Sequence, residues 1–464
     1  MSNYRSISDM NEGLKWSRYN IVVENAPECL VYNTVSGRIL AANKRLLHSD
    51  PSGFDDNLCA TLKQDGFLVD SDLDEFKQLL STSKEVSEFI DNEDIDITIA
   101  PSLRCNMQCD YCFEKNPITR KLSADMSADV LAATLEYVLH LTKRKSAKRL
   151  KITWFGGEPL LMFDTIRDFS NQIKRRIDPS IQLISRIITN GFLLTETKLT
   201  ELVRECNLRF AQIAIDGSKN RYMAIRNVEG SCYDRVIENI ITCCKHIPTR
   251  IRLNATPDNL EELYRLAETF LTRTENLSNV SFTLSEVTNY TDNSPSVHFF
   301  KPGEFRNELR RFHRFLYNKG LTASYNYTEK YYPIGCKYFL RDNVAIDPLG
   351  FLYKCEHHFG DDRYLLGSVF TGLVRNNHPL HIYAEDRIDP RCRTCAIYPI
   401  CKYASCTDYR RFMGEDDQPC HCQQGQLESI ARDIRDNITI LTICRMDNAV
   451  LDKSSLSQAG YAGQ

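Results

Sequence analysis

Residues 95–112 read Ile-Asp-Ile-Thr-Ile-Ala-Pro-Ser-Leu-Arg-Cys-Asn-Met-Gln-Cys-Asp-Tyr-Cys: a β-branched run, a proline break, then cysteines at 105, 109 and 112. The run Ile95 to Ala100 predicts a strand and puts the three cysteines on the loop at its C-terminal end. The same grammar repeats to about residue 290. Candidate strands at Leu150–Phe155, Gln182–Thr189, Phe210–Asp216, Arg250–Ala255 and Val280–Glu286 alternate with helical patterns at 124–143, 160–177, 195–206, 232–246 and 258–274. Six strands with five intervening helices predict an α/β fold built on a parallel sheet with right-handed crossovers. Functional residues then belong at the C-terminal strand ends. Periodicity leaves open whether the sheet is flat or curved into a partial barrel.

On the N-terminal side, residues 18–95 predict a small α+β unit. Apolar runs at Tyr19–Val23 and Leu30–Asn33 precede a Ser36-Gly37 turn, helices around Ile39–His48 and Asp55–Gln64, a strand at Gly66–Val69 and a helix from Asp72 to Ser83. On the C-terminal side, a helical pattern at 303–318 leads to a turn-rich stretch, 331–425, with only short apolar runs. Such a stretch has little core of its own, which makes metal ligation a source of its stability. The tail after Asn448 reads as disordered.

Composition narrows the class. The chain has 464 residues, 58 Lys+Arg against 61 Asp+Glu, and a net charge of −3. No run of eighteen apolar residues and no secretory h-region occurs, so neither a membrane span nor export is expected and the location expected is the cytoplasm. The charge balance gives no pull toward nucleic acid. The abnormal number is 18 cysteines, of which three lie at 105–112 and eight at 336–422. A long chain without an export signal keeps its thiols reduced, so such clustering points to metal rather than disulfides. The other seven, at 29, 59, 206, 232, 243, 244 and 444, read as ordinary buried residues.

Three thiolates suit an iron–sulfur cubane with one iron left open to a substrate or cofactor; zinc with three cysteines and a water fits the same count. The spacing Cys105-x3-Cys109-x-Tyr111-Cys112 resembles the radical S-adenosylmethionine (radical SAM) superfamily. Gly156-Gly157-Glu158-Pro159 after the second strand, Thr189-Asn190-Gly191 after the third and Asp216-Gly217 after the fourth fall in register with it. The resemblance implies a partial (β/α)6 TIM-type barrel. It implies that Cys105, Cys109 and Cys112 hold a [4Fe–4S] cluster whose fourth iron takes the amine and carboxylate of S-adenosylmethionine. Tyr111 would lie near the adenine, the turn Gly156, Gly157, Glu158 would meet the amino group, and Thr189, Asn190 and Asp216 belong to the same cofactor set. The family often has a His-Asp pair and an Arg after Asp-Gly; here Tyr222 and Met223 replace the pair, and Arg226 keeps its place as a contact for the cofactor carboxylate, or is an ordinary surface Arg.

The later cysteines are Cys336, Cys355, Cys392-x2-Cys395-x5-Cys401-x4-Cys406 and Cys420-His-Cys422. Taken alone they would read as structural zinc. Behind the first motif they resemble the SPASM extension, a cysteine-rich iron–sulfur domain with two auxiliary [4Fe–4S] clusters. Cys336, Cys355 and Cys406 would ligate the first; Cys392, Cys395 and Cys401 the second, with Cys420 or Cys422 as its fourth ligand. A cysteine the family often has after the first is replaced by Leu340-Arg-Asp342-Asn343, so the resemblance implies a first auxiliary cluster that has an open iron or recruits Asp342 or a substrate group. Glu356 stands where sulfatase-maturing relatives carry a proposed base, and is otherwise a solvated Glu beside exposed His357 and His358.

The expected organisation is an N-terminal unit at 1–92 resembling leader-peptide recognition elements, the barrel at 93–300, a linker helix at 301–330, the auxiliary-cluster domain at 331–425 and a C-terminal helix and tail at 426–464. The expected function is a radical SAM peptide maturase that cross-links a ribosomally made precursor peptide bearing a leader, through a thioether, a C–C or an aryl bond. Its partners would be that peptide and a small-protein electron donor, with no nucleic acid and no membrane. A formylglycine-generating sulfatase maturase is the alternative enzyme, and a zinc-binding interaction protein the alternative of another class.

Overall fold

The computed structural model describes residues 13–25, 28–115, 124–144, 147–288, 297–301, 304–321, 340, 342–374, 390–400 and 443–445. They fall into two compact units, one within residues 87–324 and 336–381, the other within 1–86 and 382–464. Among the described residues no helix is long and apolar enough to cross a membrane.

In the larger unit the strands β6 (Asp94–Ile99), β7 (Arg149–Trp154), β8 (Gln182–Thr189), β9 (Leu208–Ile215), β10 (Thr249–Ala255) and β11 (Val280–Glu286) pair in parallel in chain order. Helices α4 (Ala128–Arg144), α5 (Phe163–Arg176), α6 (Glu196–Glu205), α8 (Gly230–His246), α9 (Leu260–Arg273) and α10 (Glu304–Asn318) alternate with or follow them, and the short α7 (Lys219–Arg226) precedes α8. Period-two alternation decides which face is covered. Ile95, Ile97 and Ile99, Leu150, Ile152 and Trp154, and Ile251 and Leu253 belong to one core with helix residues such as Ile166, Phe169, Ile240 and Phe270. Trp154 meets Phe169 edge-on at 5.5 Å. Each such buried side chain stabilises the fold by about 1.5–3 kcal/mol. The intervening positions form a polar second face. The resulting parallel-dominated α/β sheet agrees with the expected class, and each predicted strand and helix between 93 and 290 falls within a few residues of an observed one.

Beyond β6 the sheet continues with four short strands: β12 (Val344–Ile346), parallel to β6, then β13 (Phe351–Tyr353), β14 (Gly367–Ser368) and β15 (Gly372–Leu373), all antiparallel. The Asn343 side chain locks the junction by accepting from the Asp96 backbone N–H at 3.0 Å.

In the smaller unit, β2 (Asn20–Asn25), β3 (Glu28–Asn33) and β4 (Ile39–Ala42) form an antiparallel sheet with β16 (Ile443–Arg445) parallel on the β4 edge, while β1 (Leu14–Trp16) pairs with β5 (Leu68–Asp70). Two expectations are corrected. Residues 39–48 are not one helix: Ile39–Ala42 is a strand, because the turn at Gly37 (φ 73°) returns the chain onto β3 and buries all four residues, and the helix α1 (Lys44–His48) starts only after the Asn43 cap. After α2 (Asp56–Gln64), capped by Asp55, α3 (Glu75–Glu93) runs past the expected end at Ser83 into β6. Residues 390–400 pack on the same sheet: Ile397 and Ile400 join Ile21, Val23, Leu30, Tyr32, Ile39 and Ala41, and Thr34 Oγ1 donates to the Ala396 carbonyl at 2.7 Å.

Candidate functional site

The cysteine loop leaves β6 and is held from two sides. The Gln108 and Asp110 backbone N–H groups donate to the carbonyls of Arg226 and Ile225 at the end of α7, at 3.0 and 3.1 Å. On the other side the Gly156-Gly157-Glu158 turn runs against residues 102–104: Gly157 N–H donates to Ser102 O at 3.2 Å and Glu158 N–H to Arg104 O at 2.9 Å. The approach excludes side chains. A Cβ on Gly156 would strike the Ser102 carbonyl, one on Gly157 the Arg104 carbonyl, and Gly156 also sits at φ 119°, where an L side chain is strained.

The Glu158 carboxylate is fully buried and engaged inside the protein. It accepts from Thr189 Oγ1 at 2.8 and 2.9 Å, from Asn190 N–H at 2.8 Å and from Leu160 N–H at 3.0 Å, joining the end of β7 to the end of β8. What the turn leaves for a ligand is its backbone. Asn190 Nδ2 in turn donates to Asn106 Oδ1 at 2.7 Å and reaches Cys105 Sγ at 3.7 Å.

Beneath the loop lies a second network. Asp216 and Arg226 form a buried ion pair at 2.5 Å, with Arg226 Nη2 on the Ala214 carbonyl at 3.0 Å and its guanidinium 4.7 Å above the Tyr222 ring. The Tyr111 hydroxyl donates to Asp216 Oδ1, and Asn254 Nδ2 donates to both, at 2.9 Å to Tyr111 and 3.0 Å to Asp216. The surface alternative for Arg226 is thereby corrected: its side chain is 3% exposed, because Asp216 and Tyr222 enclose it. Sequence reasoning missed Asn254 and Asn259, whose Nδ2 holds the Asp216 carbonyl at 2.8 Å. The available signal was a polar residue at the C-terminal end of an otherwise alternating strand.

The three thiols are unbridged, with Cys105 exposed and Cys109 and Cys112 half-buried. Desolvation by the surrounding loop pushes the Cys105 thiol up to about 11 and Cys112 up to about 12, and raises Cys109, which the Arg226 charge opposes. Metal must therefore displace protons from them. Among the described residues no three His, Cys, Asp or Glu converge as a single ion would need. A polynuclear cluster makes no such demand, since each thiolate takes its own iron, and a three-cysteine loop with an amide donor beside one sulfur fits that group.

Residues 355–359 face the loop from the short-strand extension. His357 stacks on Phe113 at 4.1 Å, and Phe113 on Phe155 at 6.3 Å. His358 stacks on Tyr364 at 3.9 Å, so neither histidine is the freely exposed residue expected. Glu356 Oε2 and Glu114 Oε1 are buried without a hydrogen-bond partner among the described residues, and burial, then the nearby Glu356 and Glu158 charges, push Glu114 up to about 8. Asp342 is buried next to Asn343. Of the auxiliary cysteines, Cys355 opens this turn, while Cys392 and Cys395 share a turn in the smaller unit, with Cys395 N–H on the Cys392 carbonyl at 3.2 Å. Cys336, Cys401, Cys406, Cys420 and Cys422 lie outside the described residues, as does the tail after Asn448.

Residues 99–270 match the model of the Radical SAM superfamily. The chain carries a radical SAM domain. The first curated relatives matched, among them a GTP 3′,8-cyclase of Alkaliphilus metalliredigens and a protein named "Probable GTP 3′,8-cyclase" of Archaeoglobus fulgidus, are 28% and 30% identical over 154 and 163 residues, and the chain spans about half their length, 43% and 48%. A cysteine-type anaerobic sulfatase-maturating enzyme of Clostridium novyi is 21% identical over 333 residues, covering 65% of this chain and 84% of its own. Among solved structures, anSMEcpe with bound AdoMet and a Cp18Cys peptide covers 74% of this chain and 99% of its own at TM-score 0.52 and 17% identity. Streptococcus suis SuiB bound to S-adenosylmethionine covers 88% and 99% at TM-score 0.50 and 16% identity. At these identities the likeness establishes the fold. A radical SAM domain implies a [4Fe–4S] cluster and S-adenosylmethionine, and the loop at Cys105, Cys109 and Cys112 is where the sheet presents three thiols together.

Proposed function

We propose that this protein is a radical SAM maturase that oxidatively cross-links a ribosomally made peptide, forming a thioether, C–C or aryl bond. The observation that carries the reading is the extension of the radical SAM sheet by β12–β15, which brings Cys355 and Glu356 against the cysteine loop through the Phe113–His357 stack. A cofactor-only site has no need of that second wall. Cys105, Cys109 and Cys112 would hold the cluster, which with bound S-adenosylmethionine would supply one-electron reductive cleavage of the sulfonium and so hydrogen abstraction from the substrate.

The chain's own residues do the rest. Asn190 steadies the Cys105 corner, Glu158 ties the ends of β7 and β8, and Asp216, Arg226 and Asn254 fix Tyr111 beneath the loop. Glu356 takes the substrate proton. The oxidation balances as two hydrogens lost: one leaves in 5′-deoxyadenosine, the other as a proton to Glu356 and an electron, which an auxiliary cluster held by the later cysteines would accept. The N-terminal sheet, with β2 as an edge, is the element of this reading that takes the leader as an added strand.

The second reading, a maturase converting an active-site Cys or Ser of a sulfatase to formylglycine, is favoured by the match over 84% of the Clostridium novyi enzyme. Anaerobic reconstitution followed by incubation with S-adenosylmethionine, dithionite and peptides encoded beside the gene separates the two. Cross-linking gives a mass loss of two hydrogens with no free aldehyde; formylglycine gives an aldehyde that hydrazide reagents capture. A colourless zinc-loaded protein that forms no deoxyadenosine removes both.

A further inference from the structure

The polar face of the radical SAM sheet is not evenly charged. On its β6–β8 half the charges are matched: Asp94 binds Arg149 at 2.5 Å and also Lys151, and Asp96 binds Arg186 at 2.5 Å. At the cofactor end Asp216 is matched by Arg226. On the β9–β11 half the register places Arg250 between Gln212 and Ser281, and Arg252 between Ala214 and Thr283, so neither neighbouring strand offers a carboxylate at either level. Among the described residues no carboxylate pairs with Arg250 or Arg252. Arg250, an exposed residue, lies over the Phe210 ring at 5.2 Å, and partial desolvation of its guanidinium lowers its pKa. Arg252 donates Nε to Asn254 Oδ1 at 3.0 Å.

That last bond gives the pair a place in the chemistry. Asn254 is the residue that also holds Tyr111 and Asp216, so a hydrogen-bonded line runs from Arg252 to the cysteine loop. Residues two apart on one face of a strand are separated by about 7 Å. A group held by Arg252 therefore lies about two extended peptide residues from the loop. Two guanidinium groups on one wall, neither paired with a carboxylate among the described residues, form a receptor for a planar anion bound through paired hydrogen bonds.

We infer that Arg250 and Arg252 bind a carboxylate of the substrate, supplied by an Asp or Glu within about three residues of the modified position or by the C-terminus of the substrate peptide. The inference rests on the peptide reading above and narrows it to an acidic peptide. The matched half of the face then acts as a neutral wall, and the unmatched half sets which stretch of the peptide comes under the loop.

The test uses the anaerobically reconstituted full chain with S-adenosylmethionine bound. Random twelve-residue synthetic peptides, prepared with free and with amidated C-termini, are incubated with it, and those retained are sequenced by mass spectrometry. Wild-type protein should enrich Asp and Glu roughly tenfold over the pool, the size of one charge-assisted pair. If only free-acid peptides are enriched, the terminal carboxylate is the ligand; if amides are enriched equally, it is a side chain. Arg250→Gln with Arg252→Gln should abolish the enrichment, and Arg252→Lys should keep part of it. Circular dichroism and cluster absorbance report folding, and the exposed Arg250→Gln alone, which leaves the core untouched, should already weaken the preference. Retention of peptides without an acidic preference, or a preference that survives in the double variant, overturns the inference while leaving the peptide reading in place. Retention of no peptide by the wild type overturns both.

Discussion

Gly157 shows how little room the site leaves. A methyl group there would meet the carbonyls of Leu103 and Arg104, backbone atoms that cannot swing aside. Gly157→Ala should therefore lower stability by about 1–3 kcal/mol through overpacking and, by pushing the loop outward, lower the iron bound after reconstitution. Chemical denaturation and iron analysis on the same preparation check both. Glu286, at the C-terminal end of β11, is pushed by burial up to about 7 from an ordinary 4.5. Its neutral form suits the fold, so its contribution to stability is full below about pH 4.5 and is lost as pH rises through about 7. Glu286→Gln should match wild type in Tm at the acidic end of that window and exceed it by about 2 °C at the alkaline end, a gap kept small by remaining solvent contact; equal Tm values throughout would refute it. The cysteines were legible because three thiols at fixed intervals leave few alternatives. Asn254 was not, since one amide has no spacing to read, and the burial of Arg226 was hidden because a lone charge ordinarily implies solvent.

Elements were legible in proportion to their length. Gln182–Thr189 and Val280–Glu286 occupy the expected residues, because alternation over seven or eight positions marks a strand with one covered face. Ile39–Ala42 misled, because four consecutive apolar residues fit a helix start as well as a doubly buried strand, and pairing with β3 decides between them. Strands of two and three residues, β12 to β15, carry no periodicity at all, so the extension that walls the site could not be read from the chain. Its attachment can be tested at Asn343. Asn343→Ala would leave the Asp96 N–H buried without its acceptor, at a cost of about 1–3 kcal/mol. Hydrogen exchange should then rise in residues 342–355 before it rises in β7 or β8. Uniform protection across all of them would mean that the short strands hold without this bond.

At the scale of the whole molecule, the described residues of the cysteine-rich stretch are divided: 342–374 extend the radical SAM sheet, while 390–400 pack on the N-terminal sheet. The expected boundaries kept them together because the cysteines form one cluster in the sequence, and two isoleucines, Ile397 and Ile400, are too few to announce where they are buried. The division changes what removal of the N-terminal unit should do. A detachable recognition element could be deleted with loss of peptide binding alone. Here deletion of residues 1–86 takes away the sheet under Ile397 and Ile400, the Thr34 bond to Ala396, the Arg18 Nη1 bond to the Arg393 carbonyl at 2.9 Å, and the Phe76 ring 5.1 Å from Tyr398. The turn with Cys392 and Cys395 loses its support, whereas the cysteine loop at 105–112 is held within the other unit by α7 and the Gly156-Gly157 turn. If the full chain binds the roughly twelve irons of the three cubanes proposed, the truncated protein should bind about eight, and it should still cleave S-adenosylmethionine when given dithionite. Iron and sulfide analysis with deoxyadenosine counting decides it: a full iron complement in the truncated chain would show that the N-terminal sheet serves recognition only.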